Sequence, residues 1–215
     1  MFLILKNPGS DIPGSDRLTY LALGDSYTIG ESVLVNDRWP VQLAGLLRQI
    51  NINVTDPDII ACTGWTTAEL QDAISKSDNQ KKYNLVSLLI GVNNQYRGQP
   101  LPIYRTEFRG LLQTAIAFAD GKAGHVVVLS IPDWGYSPFA QGRDKAMISK
   151  EIDQFNAIAQ DECQRANVAF INITPTTRQF TGNTEFVSDD LHYSGLHMRR
   201  WAEQALPIIK PLLAP

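Results

Sequence analysis

Short apolar runs separated by longer amphipathic stretches restrict this chain to a narrow set of folds. The runs are Leu18–Leu23, Asp58–Cys62, Leu85–Ile90, Val126–Ile131 and Val168–Ile173, and each stops at a turn or polar cluster. Between them, apolar residues recur at helical spacing over Val41–Gln49, Thr67–Ser75, Tyr104–Ala119 and Ile148–Ala166. A last such stretch covers Leu196–Leu213, where Pro207 is expected to kink or split the helix. Strands and helices alternating in this order build βαβ units. Strands that are apolar at nearly every position need cover on both faces, which a parallel sheet between two helical layers provides. The expected architecture is therefore a three-layer α/β/α sandwich with about five parallel strands. It would occupy 18–215 as one domain behind a Pro/Gly/Ser-containing lead over 1–17, without repeat or linker.

Composition narrows the chemistry. A chain of 215 residues that is 44% hydrophobic buries a core without help from disulfides or metals. Cys62 and Cys163 lie far apart and show no paired metal-ligand spacing. The net charge of -3 arises from scattered residues with no basic cluster, so nucleic acid is not an expected partner. Apolar runs such as Val126–Leu129 fall far short of a bilayer span, so no transmembrane segment is expected. The opening Met1–Lys6 ends at lysine and shows no export signal. The chain as written reads as cytoplasmic, and as periplasmic or envelope-associated if it was trimmed. No sequence feature speaks to oligomeric state.

Open parallel sheets bind ligands beyond the carboxyl ends of their strands. The segments following the first four runs are Gly24-Asp25-Ser26-Tyr27, Thr63-Gly64-Trp65, Gly91-Val92-Asn93-Asn94 and Pro132-Asp133-Trp134-Gly135. Ser26 is a candidate nucleophile there, although a serine after a strand is also a common helix cap. Of the three histidines, His125 opens an apolar run and reads as structural, and His197 is expected on a helix surface. His192 follows Asp189 by three residues, so the carboxylate is able to orient the imidazole. The same loop also reads as a set of helix caps, and Asp189, Asp190, His192 and His197 are a weaker metal alternative without motif spacing. Candidate donors to a developing oxyanion are the backbone N–H groups of Ser26 and Gly64 and the side-chain amide of Asn93. Trp65, Tyr96, Arg97 and Trp134 are candidate pocket residues, with Arg97 suited to an anionic head group.

In order and spacing, Gly24-Asp25-Ser26-Tyr27, Gly64, Gly91-Val92-Asn93-Asn94 and Asp189-Asp190-Leu191-His192 resemble the four sequence blocks of SGNH (GDSL-type) hydrolases. The likeness covers nearly all of the chain after the lead and is nearest to the lysophospholipase/thioesterase-like bacterial branch. It implies a flavodoxin-like sandwich and hydrolysis of small-molecule acyl esters through an acyl-enzyme, with no cofactor. It further implies Ser26 as nucleophile, His192 as base, Asp189 as its orienting acid, and Ser26, Gly64 and Asn93 as oxyanion hole. Tyr27 stands where the family has leucine, and Asn94 where it has aspartate. Tyr193 replaces a frequent proline, which would leave the His192 loop less rigid. The segment around Ser26 is not a Gly-x-Ser-x-Gly elbow, and Glu31 occupies the lysine position of a phosphate-binding loop. A non-catalytic carbohydrate- or lipid-binding module and a metal-dependent hydrolase are the rival readings.

Overall fold

The computed structural model describes residues 17–213, so the lead over 1–17 lies, except for Arg17, outside the described residues. Five strands form one sheet, parallel throughout: β1 (Tyr20–Gly24), β2 (Asp58–Ala61), β3 (Leu85–Leu89), β4 (Val126–Leu129) and β5 (Ala169–Ile171), in the spatial order β2-β1-β3-β4-β5. Each expected strand is present but one or more residues shorter than its apolar run. The extra residues leave the ladder to enter turns, and Leu18 keeps only an isolated bridge to Val54. The central strands β1, β3 and β4 are buried at every position, whereas the edge strands β2 and β5 are partly open. Full burial of one Leu, Ile or Val side chain contributes about 1.5–3 kcal/mol, so the continuous apolar runs supply much of the drive to form the sheet.

Among the described residues, eight α-helices surround or punctuate the sheet: α1 (Ser26–Ile29), α2 (Trp39–Gln49), α3 (Thr67–Lys76), α4 (Val92–Tyr96), α5 (Leu101–Phe118), α6 (Lys145–Arg165), α7 (Thr174–Gln179) and α8 (Gly195–Leu213). Their buried faces follow the helical period: Trp39, Leu43, Leu46 and Leu47 in α2, and Tyr104, Phe108, Leu111, Leu112 and Ala115 in α5. Starts are set by local chemistry. Thr66 and Glu69 form a reciprocal capping box on α3, and Asp144 accepts from Met147 N at 3.0 Å to cap α6. α2 packs against α8, while α5 packs against both α3 and α6, giving the two outer layers. Pro207 does not split α8, which runs as one helix from Gly195 to Leu213. The buried stripe of Met198, Trp201, Ala202, Ala205 and Ile209 holds the helix together across the missing hydrogen bond.

The strand order has a consequence for function. β1 lies between β2 and β3, with Gly24 in register with both Ala61 and Leu89, so the loops leaving these three strands emerge at one edge. The direction of winding reverses between β1 and β3, and such a switch point opens a crevice at the carboxyl ends of the strands. Two glycines are obligatory there. A Cβ on Gly24 would lie 2.4 Å from Leu89 O. Gly91, at φ +127°, would place one 2.8 Å from Ile131 Cδ1 and 2.9 Å from the Tyr104 hydroxyl.

Candidate active site

Ser26 is the first residue of α1, directly beyond β1, and is only 4% exposed. The helix is capped by Asp25 instead: its Oδ1 accepts from Tyr27 N at 3.0 Å, so the reading of Ser26 as the cap is overturned. Asp25 is fully buried, and burial pushes its carboxyl up to about 7 against the opposing effect of the Tyr27 amide.

Asp189 and His192 share a tight loop between α7 and α8. Asp189 Oδ1 accepts from the backbone N–H of Leu191 and of His192, each at 2.9 Å, and Oδ2 meets His192 Nδ1 at 2.6 Å. Burial alone would raise the Asp189 carboxyl, but these hydrogen bonds outweigh it and hold the pKa below the usual carboxylate range. With Nδ1 engaged, Nε2 is the imidazole nitrogen left for another partner. Val187 N donates to His192 O at 2.9 Å and Asp190 N to Val187 O at 3.0 Å, closing the turn.

Tyr27 joins the two segments. Its ring meets that of His192 edge-on, with centroids 5.8 Å apart, and packs at 5.6 Å from Tyr193. The residue next to Ser26 is thus in contact with the imidazole. Tyr193 is itself fully buried among Phe186, His197 and Trp201, and its hydroxyl donates to Asp133 O at 3.1 Å. An aromatic cluster thus packs at the position where the family has a frequent proline.

Across the crevice, the Asn93 amide donates to Trp65 O at 2.9 Å, drawing α4 against the loop after β2, where Gly64 sits at φ +86°. A primary amide has two N–H donors, so the second remains for a ligand. Asn94 points the other way. It accepts from Thr67 N at 3.1 Å and donates to Thr67 Oγ1 at 2.6 Å, so the uncharged amide fastens α4 to the start of α3. Arg97 is engaged with Glu69 and, at 2.6 Å, with Gly64 O, which uses its charge to brace the Gly64 loop. Trp65 is half-buried against the core. Trp134 is almost wholly buried with its indole N–H on Gln95 Oε1 at 2.9 Å, and Tyr96 is 51% exposed.

The expectation for His197 fails. It is fully buried in α8 between Tyr193 and Trp201, with Nδ1 at 2.8 Å from Glu185 Oε2, and burial lowers its pKa to about 4. Its spacing of four residues from Trp201 already put it on the apolar stripe. Directed at Glu185, it does not join Asp189, Asp190 and His192, and no cluster of three or more metal-type ligands occurs among the described residues. His125 is half-buried ahead of β4. Cys62 is exposed and Cys163 buried, and both are free.

Residues 22–200 match the model of the GDSL-like lipase/acylhydrolase family. The chain belongs to this family. It is accordingly a carboxylic ester hydrolase, and the match includes Ser26, Gly64, Asn93, Asp189 and His192. Solved structures share the fold at low identity. TesA aligns with a TM-score of 0.71 and 20% identity over 90% of this chain and 99% of its own. The lipase/acylhydrolase from Enterococcus faecalis aligns at 0.68 and 19%, over 90% and 96%. The acetylxylan esterase Axe2 from Geobacillus stearothermophilus aligns at 0.66 and 16%, over 89% and 94%. No curated protein matches the chain in sequence. Among the described residues, no helix of this GDSL-type hydrolase is long and apolar enough to cross a membrane.

Proposed function

We propose that this GDSL-type hydrolase cleaves esters through an acyl-enzyme on Ser26, with His192 as general base and Asp189 as the group that orients it. The observation that carries the reading is the meeting of an oriented Asp189–His192 pair with the Ser26 segment through Tyr27, at the switch point. Nε2 of His192 takes the hydroxyl proton as Ser26 Oγ attacks the ester carbonyl. The oxyanion is received by the N–H groups of Ser26 and Gly64 and the second amide N–H of Asn93. His192 then gives the proton to the departing alcohol. Water attacks the acyl-enzyme by the same route, His192 takes its proton, and the acid leaves as the serine is reprotonated. Asp189, its pKa held low, stays ionised throughout and stabilises the imidazolium.

The substrates we assign are acyl esters of small alcohols, lysophospholipids or acetylated sugars. The half-buried Trp65 and exposed Tyr96 flank the crevice and support an organic acyl or alcohol group there. The experiment is a kinetic comparison of wild type with Ser26→Ala on 4-nitrophenyl acetate and on a panel of longer acyl esters. Ser26→Ala is expected to lose about 10³-fold or more in kcat. Retention of wild-type rates would refute the assignment.

A further inference from the structure

We infer that Arg143, seated over the rings of Phe139, Trp134 and Tyr96, selects esters carrying an anionic group, a carboxylate or phosphate, on the arm that lies toward the β4 side of the crevice. This rests on the ester-hydrolase site proposed above and names a substrate feature that site would favour.

The guanidinium carbon stands 4.8 Å from the centre of the Phe139 ring, 5.4 Å from that of Trp134 and 5.8 Å from that of Tyr96. The rings lean on one another, with centroids 5.4 Å apart for Tyr96–Trp134 and 6.1 Å for Trp134–Phe139. Trp134 is pinned by Gln95 Oε1 at 2.9 Å, and Gln95 in turn donates to Glu151 at 2.7 Å. The platform is therefore preset by the fold.

Its location ties it to both sides of the crevice. Tyr96 is one helical turn beyond Asn93 on α4. On the other side, Phe139 N donates to Asp190 O at 2.9 Å, which fixes the Phe139 segment to the loop that holds Asp189 and His192. Tyr96 and Phe139 remain 51% and 36% exposed, so the platform is open to a ligand.

The charge on Arg143 has no carboxylate partner among the described residues, in contrast to Arg97, which is committed to Glu69. Nearby acids are engaged elsewhere: Asp144 caps α6 through Met147 N, and Glu151 receives Gln95. A guanidinium stacked on aromatic faces keeps its N–H donors directed outward at its edge, in the fork that matches a carboxylate or phosphate. Arg143 thus takes over the anion-facing role that the sequence suggested for Arg97.

The test uses two ester pairs matched except for charge. Mono-4-nitrophenyl succinate against 4-nitrophenyl butyrate places the anion on the acyl arm, and 4-acetoxybenzoate against its methyl ester places it on the alcohol arm. For one pair, the anionic-to-neutral ratio of kcat/KM should fall about tenfold in Arg143→Gln and further in Arg143→Glu, and the pair affected identifies the arm. Ratios unchanged within about twofold in both variants, or no anionic preference in the wild type, overturn the inference. Ser26→Ala run on the neutral esters separates the two claims. Inactive Ser26→Ala with unaltered ratios removes only the role of Arg143, whereas fully active Ser26→Ala removes the nucleophile assignment.

Discussion

Asp25 lies fully buried at the cap of α1, one residue before Ser26, and its carboxyl is pushed up to about 7 by burial, from an ordinary value of 3.8. Between those two values the folded protein keeps a proton that the unfolded chain has released. Stability from this group is complete below the unfolded pKa and is lost as pH rises through the folded one, at about 1 kcal/mol per pH unit. Asp25→Asn keeps an oxygen to accept from Tyr27 N and cannot ionise. Urea unfolding of both proteins at intervals from pH 5 to pH 7.5 isolates the effect, because every other titrating group is common to the pair. Wild type should lose about 2 kcal/mol relative to Asp25→Asn across that range, or about 1 M in urea midpoint at an m-value of about 2 kcal/mol/M. Stabilities that run parallel within about 0.5 kcal/mol would refute the claim that burial governs this carboxyl.

Two further outcomes follow from the geometry. Gly91→Ala forces a side chain into positive φ and against Ile131 and the Tyr104 hydroxyl, and should destabilise by about 3 kcal/mol, a loss of roughly 6–12 °C in Tm by calorimetry; a variant that melts with the wild type would contradict the packing described. Asp189→Asn should retain the circular dichroism spectrum while kcat on 4-nitrophenyl acetate falls about 10³- to 10⁴-fold, because the amide no longer fixes the imidazole tautomer; a loss under tenfold would deny Asp189 its orienting role.

The sheet and the long helices were legible because their signal is hydrophobic and repetitive. β1, β3 and β4 announce burial on both faces at every position, and α2 and α5 repeat their apolar residues with the helical period. The short helices α1, α4 and α7 were not legible, since four to six residues are too few to show a period. Ser26, Asn93 and the Asp189/His192 pair stood out because residues with that chemistry followed strands or sat three apart. What escaped was set by contacts distant in sequence. Arg97 reads as available from its local sequence, yet Glu69 and Gly64 O claim it, whereas the burial of His197 is marked locally by its four-residue spacing from Trp201. Arg143 and Phe139 carried no local signal at all, since their meeting with Trp134 and Tyr96 is a product of how the loop after β4 folds back toward Asp190. Asp25 carries a local signal of its own, since an aspartate two residues before a helical N–H is an ordinary cap.

The central claim is that Ser26 is an activated nucleophile and not a buried hydroxyl at a helix start. A fluorophosphonate probe reacts with a serine whose proton is removed by a neighbouring base, and peptide mass spectrometry locates the adduct. The account predicts stoichiometric labelling at Ser26 in the wild type and its loss in His192→Ala. Labelling at another residue, or an undiminished rate at Ser26 in His192→Ala, would contradict it.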